Sequence, residues 1–524
     1  MRTIYTNGTI YTMDAQTPQA TALAIENGRI LAVGDTEDIR LQYGRADVEE
    51  IHLGGATVLP GLIDNHLHVS NHGIKLSTLD FTPAQSTAEM LKMLREWVIK
   101  IPQGEWVVGT GWNENQFSDR RIPTLQELNE AAPNHPVFLT RVCNHAYLAN
   151  TRAFERTGIT ASTADPADGS YGRDANGALN GIIYENASRP LQNAIPKKSR
   201  AELKDALRRG IKHALASGLT GVHTEDLRYL NDFETTWSLY RELVVEEDLR
   251  LRSNLLIYYP HLDELKATGL TTGDGDEWVN IGALKIFADG AMGGRTALMT
   301  LPYGDAPGTY GTAILSQEEL NRIAAAGAAY GMPIAVHAIG DGATDMVLEA
   351  MEKHQVLGHR HRLIHAQVLR PEQITRMQQL GDRLALDLQP RFVTSDYPWV
   401  LERIAPELHK TSYAWKTLLD AGLLCGGGSD APIEPIEPLL GLHAAITRSG
   451  YQPEQRLTAQ EAVHLFTVGG TYATREEDVK GTITPGKFAD LTILDRNIMT
   501  EHPDVILETN VIRTVIGGTT VYEK

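Results

Sequence analysis

Residues 2–58 alternate apolar and polar positions in short runs, at 3–6, 9–13, 22–26, 29–33 and around 48–53. The dipeptides Asn7-Gly8 and Asn27-Gly28 separate them, and such pairs favour tight hairpins. The same alternation closes the chain from Gly481, at 489–494, 511–516 and 519–522, punctuated by Pro485-Gly486 and Gly517-Gly518. Neither fragment holds enough strands for a stable sheet. The two ends are therefore expected to pair into one composite β-sandwich, 1–58 with 480–524. Between them the period changes. Eight apolar strand candidates occur at 58–69, 218–224, 251–258, 281–289, 333–340, 362–367, 384–390 and 423–431, and helical patterns at 201–217, 232–247, 316–330, 342–355, 371–380, 413–421 and 435–448 fill most of the gaps. Apolar strands alternating with helices imply a parallel sheet covered on both faces. Eight units predict an α/β protein with a (β/α)8 TIM barrel over 59–479, its chemistry at the C-terminal strand ends.

One gap breaks the rhythm, because about 150 residues separate the first two strand candidates, far beyond an ordinary connection. It has strand patterns at 106–109 and 137–142, several helical stretches, and a segment at 164–181 rich in Gly, Asp and Asn, read as a loop. An insertion subdomain at 71–200, lying over the barrel mouth as a lid, is the expectation.

Composition narrows the partners. Of 524 residues 42% are hydrophobic and 22% charged, and 48 basic against 66 acidic residues leave a net charge of −18. Without basic patches, nucleic acid is not an expected partner. Cys143 and Cys425 are the only cysteines, which excludes a disulfide framework or a cysteine-rich zinc module. No apolar run is long enough to span a membrane, and the N-terminus enters strand pattern without a signal core. These features predict a cytoplasmic protein with a small-molecule substrate and no membrane partner; a homodimer is the base-rate oligomer.

The candidate chemistry sits where the barrel pattern puts it. In Leu59-Pro-Gly-Leu-Ile-Asp-Asn-His-Leu-His-Val-Ser, a strand would set Asp64, His66 and His68 on one face. Two imidazoles so placed can grip one metal ion. The fourth strand candidate contributes Lys285, the fifth His337, the sixth His365 and the eighth Asp430. That set suffices for one or two divalent metals with open positions for water. Lys285, between Leu284 and Ile286, would carry a desolvated charge. Either its ammonium reaches the rim or pairs with an acid such as Asp289, or its amine takes up carbon dioxide to become a carbamate, an anionic oxygen ligand for metal.

In these motifs the chain resembles the amidohydrolase superfamily, and within it amidohydrolase family 3, the branch that includes N-substituted formamide deformylases. The resemblance runs essentially full length: Pro60-Gly-Leu-Ile-Asp-Asn-His-Leu-His, Lys285-Ile-Phe-Ala-Asp-Gly, His337-Ala-Ile-Gly-Asp, His365-Ala-Gln, Gly428-Ser-Asp-Ala-Pro and Gly481-Thr-Ile-Thr-Pro-Gly-Lys-Phe-Ala-Asp, with Gly111-Trp-Asn-Glu and Asn144-His145 in the insertion. It implies a metal-dependent hydrolase of carbon–nitrogen bonds other than peptide bonds. His66, His68, His337 and His365 would be ligands, Lys285 a bridging carbamate, Asp430 both ligand and general acid/base, and zinc the ion. Cys143-Asn144-His145 departs from the commoner Asp-Gly-His at that place. Trp112, Glu114, His145, Asp289 and Arg295 are candidates for holding substrate. A cyclic amidase or deaminase on the same centre is the alternative, and a non-catalytic binding protein of the same fold a more distant one.

Overall fold

Eight parallel strands form the centre of the larger of two units: β1 (Leu62–Leu67), β2 (Leu219–Thr224), β3 (Arg252–Tyr258), β4 (Val279–Phe287), β5 (Ile334–Ala338), β6 (His361–His365), β7 (Leu384–Leu388) and β8 (Leu424–Gly427). The computed structural model describes residues 2–141, 145–166 and 168–524. The larger unit runs to His72 and resumes over Leu207–Lys524; the smaller is Gly73–Ala206. Each barrel strand pairs with the next in chain order, giving an almost closed (β/α)8 barrel. Its edges β8 and β1 meet through the loop after β8, where the Asp430 N–H donates to the His66 carbonyl (2.7 Å) and the Ala431 carbonyl accepts from the His68 N–H (2.8 Å). Gly426 permits that approach, since a Cβ there would lie 1.9 Å from Asn65 Nδ2. Helices such as Gln317–Ala329, Asp341–Lys353 and Pro371–Leu380 follow β4, β5 and β6. Ser316 caps the first of these by accepting from the Glu319 N–H. Strands such as β1, β2 and β7 are buried at every position because both faces are covered.

The chain ends combine as their alternation suggests. A four-stranded sheet holds Arg29–Gly34, Ala22–Glu26, Arg2–Thr6 and Glu49–His52; a six-stranded sheet joins Gln19–Ala20, Thr9–Tyr11 and Thr57–Pro60, through the last of these, to Leu491–Leu494, Val511–Ile516 and Thr519–Glu523 from the C-terminal end. Their facing residues, including Tyr5, Leu23, Ile25, Val58, Leu491 and Val515, share one core. The first strand candidate, 58–69, proves to be two strands in different sheets. Thr57–Pro60 belongs to the sandwich and Leu62–Leu67 to the barrel. Gly61 is the joint: its N–H donates to the Asp490 carbonyl (2.8 Å), and a Cβ there would lie 2.2 Å from Thr220 Oγ1.

Thr492 fastens sandwich to barrel. Its buried hydroxyl donates to the Gly218 carbonyl (2.7 Å) and accepts from the Leu62 N–H (3.1 Å). Thr492→Val keeps the shape and strands both backbone groups, so it should lower unfolding free energy by about 1–3 kcal/mol, measured by chemical denaturation. No change would mean that water replaces the hydroxyl.

The smaller unit has its own six-stranded sheet, in the order Gly169–Arg173, Leu179–Glu185, Ala146–Ala149, Val137–Arg141, Val107–Trp112 and Leu79–Asp80. Its core includes Phe81, Leu94, Trp112, Leu128, Val137 and Leu139. The segment read as a loop at 164–181 is thus largely a hairpin arm. Asp174 Oδ1 accepts from the N–H groups of Asn176 (2.8 Å) and Ala178 (2.9 Å), and Gly177 takes φ +81°. Turn residues dominate the composition there and hide the two strands they join. Cys143 and Asn144 lie outside the described residues; Cys425 is buried and unpaired in β8. Among the described residues, no helix is long and apolar enough to cross a membrane.

Candidate metal centre

Parallel strands deliver all their carboxyl ends to one rim, and the six ligand candidates gather there. His66 and His68 come from β1 and its end, Lys285 from β4, His337 from β5, His365 from β6 and Asp430 from the loop after β8. Donor atoms of His66, His68 and Asp430 all lie within 4.8 Å of one another, and all three residues are buried. Asp430 Oδ1 is 3.5 Å from His66 Nε2 and 3.4 Å from His68 Nε2. Lys285 Nζ stands 3.2 Å from His66 Nε2. The His337 and His365 rings meet edge to face at 4.4 Å, and the His365 ring lies 5.8 Å from that of His66.

Outward hydrogen bonds set the tautomers. His68 Nδ1 donates to the Glu225 carbonyl (2.6 Å), which turns Nε2 towards Asp430. His365 Nδ1 donates to Gln389 Oε1 (2.7 Å), and His337 Nε2 to the Gly290 carbonyl (3.0 Å). The remaining ring atoms, His365 Nε2 and His337 Nδ1, then face each other at 2.9 Å with a lone pair apiece. Two opposed lone pairs repel unless a cation or a shared proton lies between them. Burial opposes the proton: it holds His365 and His66 well below the ordinary imidazole value and His337 at about 4. The donor set therefore fits a divalent cation, for which neutral imidazole and carboxylate are suitable ligands.

The acid and the amine are displaced in opposite directions. Burial pulls Lys285, with no exposed surface, down to about 7 despite the carboxylates of Asp430 and Glu225. Burial also raises Asp64 to about 7 although its carboxylate accepts from the His66 and Ser429 N–H groups. For His68, burial acts downward, but Asp430 and Glu225 outweigh it and the net value is raised.

The five substrate-holding candidates have these surroundings. Asp289 is buried and accepts from the N–H groups of Leu298 (2.8 Å), Ile339 (3.0 Å) and Gly340 (2.8 Å), tying the loop after β4 to that after β5, with Oδ1 3.5 Å from His337 Nε2. Arg295 forms a two-pronged pair with Asp305 (3.0 and 2.7 Å). In the smaller unit, Trp112 is fully buried and donates to the Leu139 carbonyl (3.2 Å), and Glu114 accepts two bonds of 2.9 Å from Arg141. His145 is exposed, 3.0 Å from Glu185.

Sequence reasoning passed over the groups behind the ligand candidates. Glu225 and Gln389 orient His68 and His365; the Phe392 ring stacks on His365 at 5.7 Å. Beneath them, buried Arg362 donates to Asp387 (2.8 Å) and to the Asn65 carbonyl (2.5 Å), and Asn65 donates to Asp387 (3.1 Å). A signal was present: Asp387 and Gln389 interrupt an apolar strand at i and i+2, the same break that marks His66 and His68.

Comparison with known proteins places this geometry among relatives. A family model described as "Amidohydrolase family" matches residues 49–522. The chain is 39% identical to the protein YtcJ of Bacillus subtilis strain 168, covering all of both chains. It is 28% identical to the N-substituted formamide deformylase of Arthrobacter pascens over 99% of this chain and 98% of that one. The crystal structure of an uncharacterized metal-dependent hydrolase from Pyrococcus furiosus superposes with a TM-score of 0.80 at 29% identity, covering 95% of this chain and all of the other.

Proposed function

The chain belongs to the amidohydrolase family, and from that premise we propose that it hydrolyses the carbon–nitrogen bond of an N-formyl or N-acyl amine at a divalent metal centre. The supporting observation is the convergence of four imidazoles, a carboxylate and a buried amine at one barrel rim, with His365 Nε2 and His337 Nδ1 facing each other at 2.9 Å. His66, His68, His337, His365 and Asp430 would hold the ion or ions, and Lys285, converted to its carbamate, would complete the set. Zinc suits imidazole and carboxylate donors. When bound, such an ion supplies a Lewis acid that makes water a nucleophile near pH 7.

The chain's own groups supply the rest. Asp430 takes a proton from the attacking water as the carbon–oxygen bond forms at the acyl carbon. It returns that proton to the nitrogen as the carbon–nitrogen bond breaks, so that an amine and a carboxylic acid leave. Glu225, Gln389 and the Gly290 carbonyl hold the imidazoles in the tautomers the ion needs.

The test is release of primary amine by zinc-loaded protein from a panel of N-formyl amines, longer N-acyl amines and cyclic amides. Release from the acyclic members is expected. Silence across them with metal retained would favour ring opening or deamination, and failure to retain metal would favour a binding protein.

A further inference from the structure

Arg228 stands on the short helical turn Leu227–Leu230 that follows β2, at the same rim as the ligands. The side chain is exposed, yet it rests on a shelf of aromatic rings. Its guanidinium carbon is 4.7 Å from the centre of Phe287, 5.7 Å from Tyr258 and 5.8 Å from Tyr229. The shelf leads directly to the metal centre. The Phe287 ring is 4.6 Å from Lys285 Nζ and 5.3 Å from the His337 ring, and the Tyr229 ring is 5.4 Å from His68.

Among the described residues, no carboxylate lies within salt-bridge distance of this guanidinium and no acceptor takes a hydrogen bond from it. The nearest acid in sequence, Glu225, is engaged elsewhere: its Oε1 accepts from the main-chain N–H of Arg228 (3.1 Å), and its Oε2 is 3.6 Å from His68 Nδ1. Other arginines on these loops are matched, Arg295 with Asp305 (2.7 Å) and Arg391 with Glu434 (3.4 Å). Three rings orient the Arg228 cation without neutralising it, and its planar fork of N–H donors is suited to a carboxylate.

We propose that Arg228 binds a carboxylate group of the substrate, so that the enzyme prefers anionic N-acyl compounds, of the N-acyl amino acid or dicarboxylic monoamide type, over neutral amides. The inference rests on carbon–nitrogen hydrolysis at the metal centre and adds the charge of the molecule that is cut.

Matched pairs test it. N-Formylphenylalanine differs from N-formylphenethylamine by a carboxylate on the amine side; N-benzylsuccinamic acid differs from N-benzylbutyramide by one on the acyl side. For at least one pair, kcat/KM should favour the acid by roughly 10- to 100-fold, the worth of a charge-assisted hydrogen bond. Arg228→Met, whose thioether can still pack on the rings, should erase that preference mainly through KM and leave the neutral member nearly unchanged; Arg228→Lys should restore part of it. Equal kcat/KM within both pairs, or a preference that survives in Arg228→Met, would overturn the proposal. If metal-loaded protein cleaves no member, the hydrolytic reading fails on its own account. Calorimetric titration with hexanoate then decides: binding weakened about tenfold or more in Arg228→Met supports the carboxylate site, and equal binding in parent and variant overturns it.

Discussion

Asp430→Asn should lower kcat by about 10²- to 10⁴-fold, the range lost when a positioned general acid–base is removed, while metal content stays near that of the parent. The carboxylate is held in place by the backbone. Asp430 adopts φ +58°, its N–H donates to the His66 carbonyl (2.7 Å), and the Ser429 hydroxyl accepts from the Ala431 N–H (3.0 Å). Asparagine tolerates the left-handed region better than other residues, so the variant should fold with the loop in place. It keeps an oxygen towards His66 and His68 but cannot carry the proton from water to nitrogen. Metal analysis with steady-state kinetics separates the two roles. Activity within tenfold of the parent would remove Asp430 as the base, and loss of metal in proportion to activity would reduce it to a ligand.

Lys285→Met should abolish turnover, by at least about 100-fold, and yet raise the melting temperature of the metal-free protein at neutral pH. The sign follows from linkage. Burial lowers the folded pKa from 10.5 to about 7, so between those values the unfolded chain holds a proton that the folded chain does not. Stability then rises with pH across that window, and at pH 7 the buried amine costs on the order of several kcal/mol. Methionine removes the cost, and its advantage should shrink as pH approaches 10. A variant that melts lower at pH 7 would show that the ammonium is held by Asp430 and Glu225 instead. The same displacement leaves a large share of the amine unprotonated near neutrality, able to attack carbon dioxide, form an N–C bond and release a proton. Native mass spectrometry in bicarbonate should show the parent heavier by one carbon dioxide and Lys285→Met unchanged; equal masses would exclude the carbamate.

What could be read from the chain was what repeats or contradicts itself locally. Period-two alternation marked the sandwich strands at both ends, and apolar runs alternating with helical ones marked the barrel, because burial of one face or both imprints a pattern on neighbouring residues. His66, His68, Lys285, His337, His365 and Asp430 were conspicuous because each interrupts such a run near its C-terminal end, where a barrel has no packing use for a polar group. The break at Gly61 was not legible, since Val58–Leu59 and Leu62–Ile63 on its two sides are equally apolar and only pairing with Asp490 on one side and the nearness of Thr220 on the other assign the halves to different sheets. The hairpin within 164–181 was hidden by the turn residues that make it possible.

Composition and order along the chain by themselves determined the fold class and the identity of the ligand candidates, because both follow from burial patterns within each strand. Only the tertiary structure decided how those side chains are oriented. The tautomers of His68, His337 and His365 depend on Glu225, Gly290 and Gln389, contributed by other strands and loops, and the charge balance around Arg228 depends on where Glu225 points. Hydrogen-bond partners and counter-charges act over a few ångströms of space, and closing the barrel is what brings residues 24 to 157 positions apart within that distance.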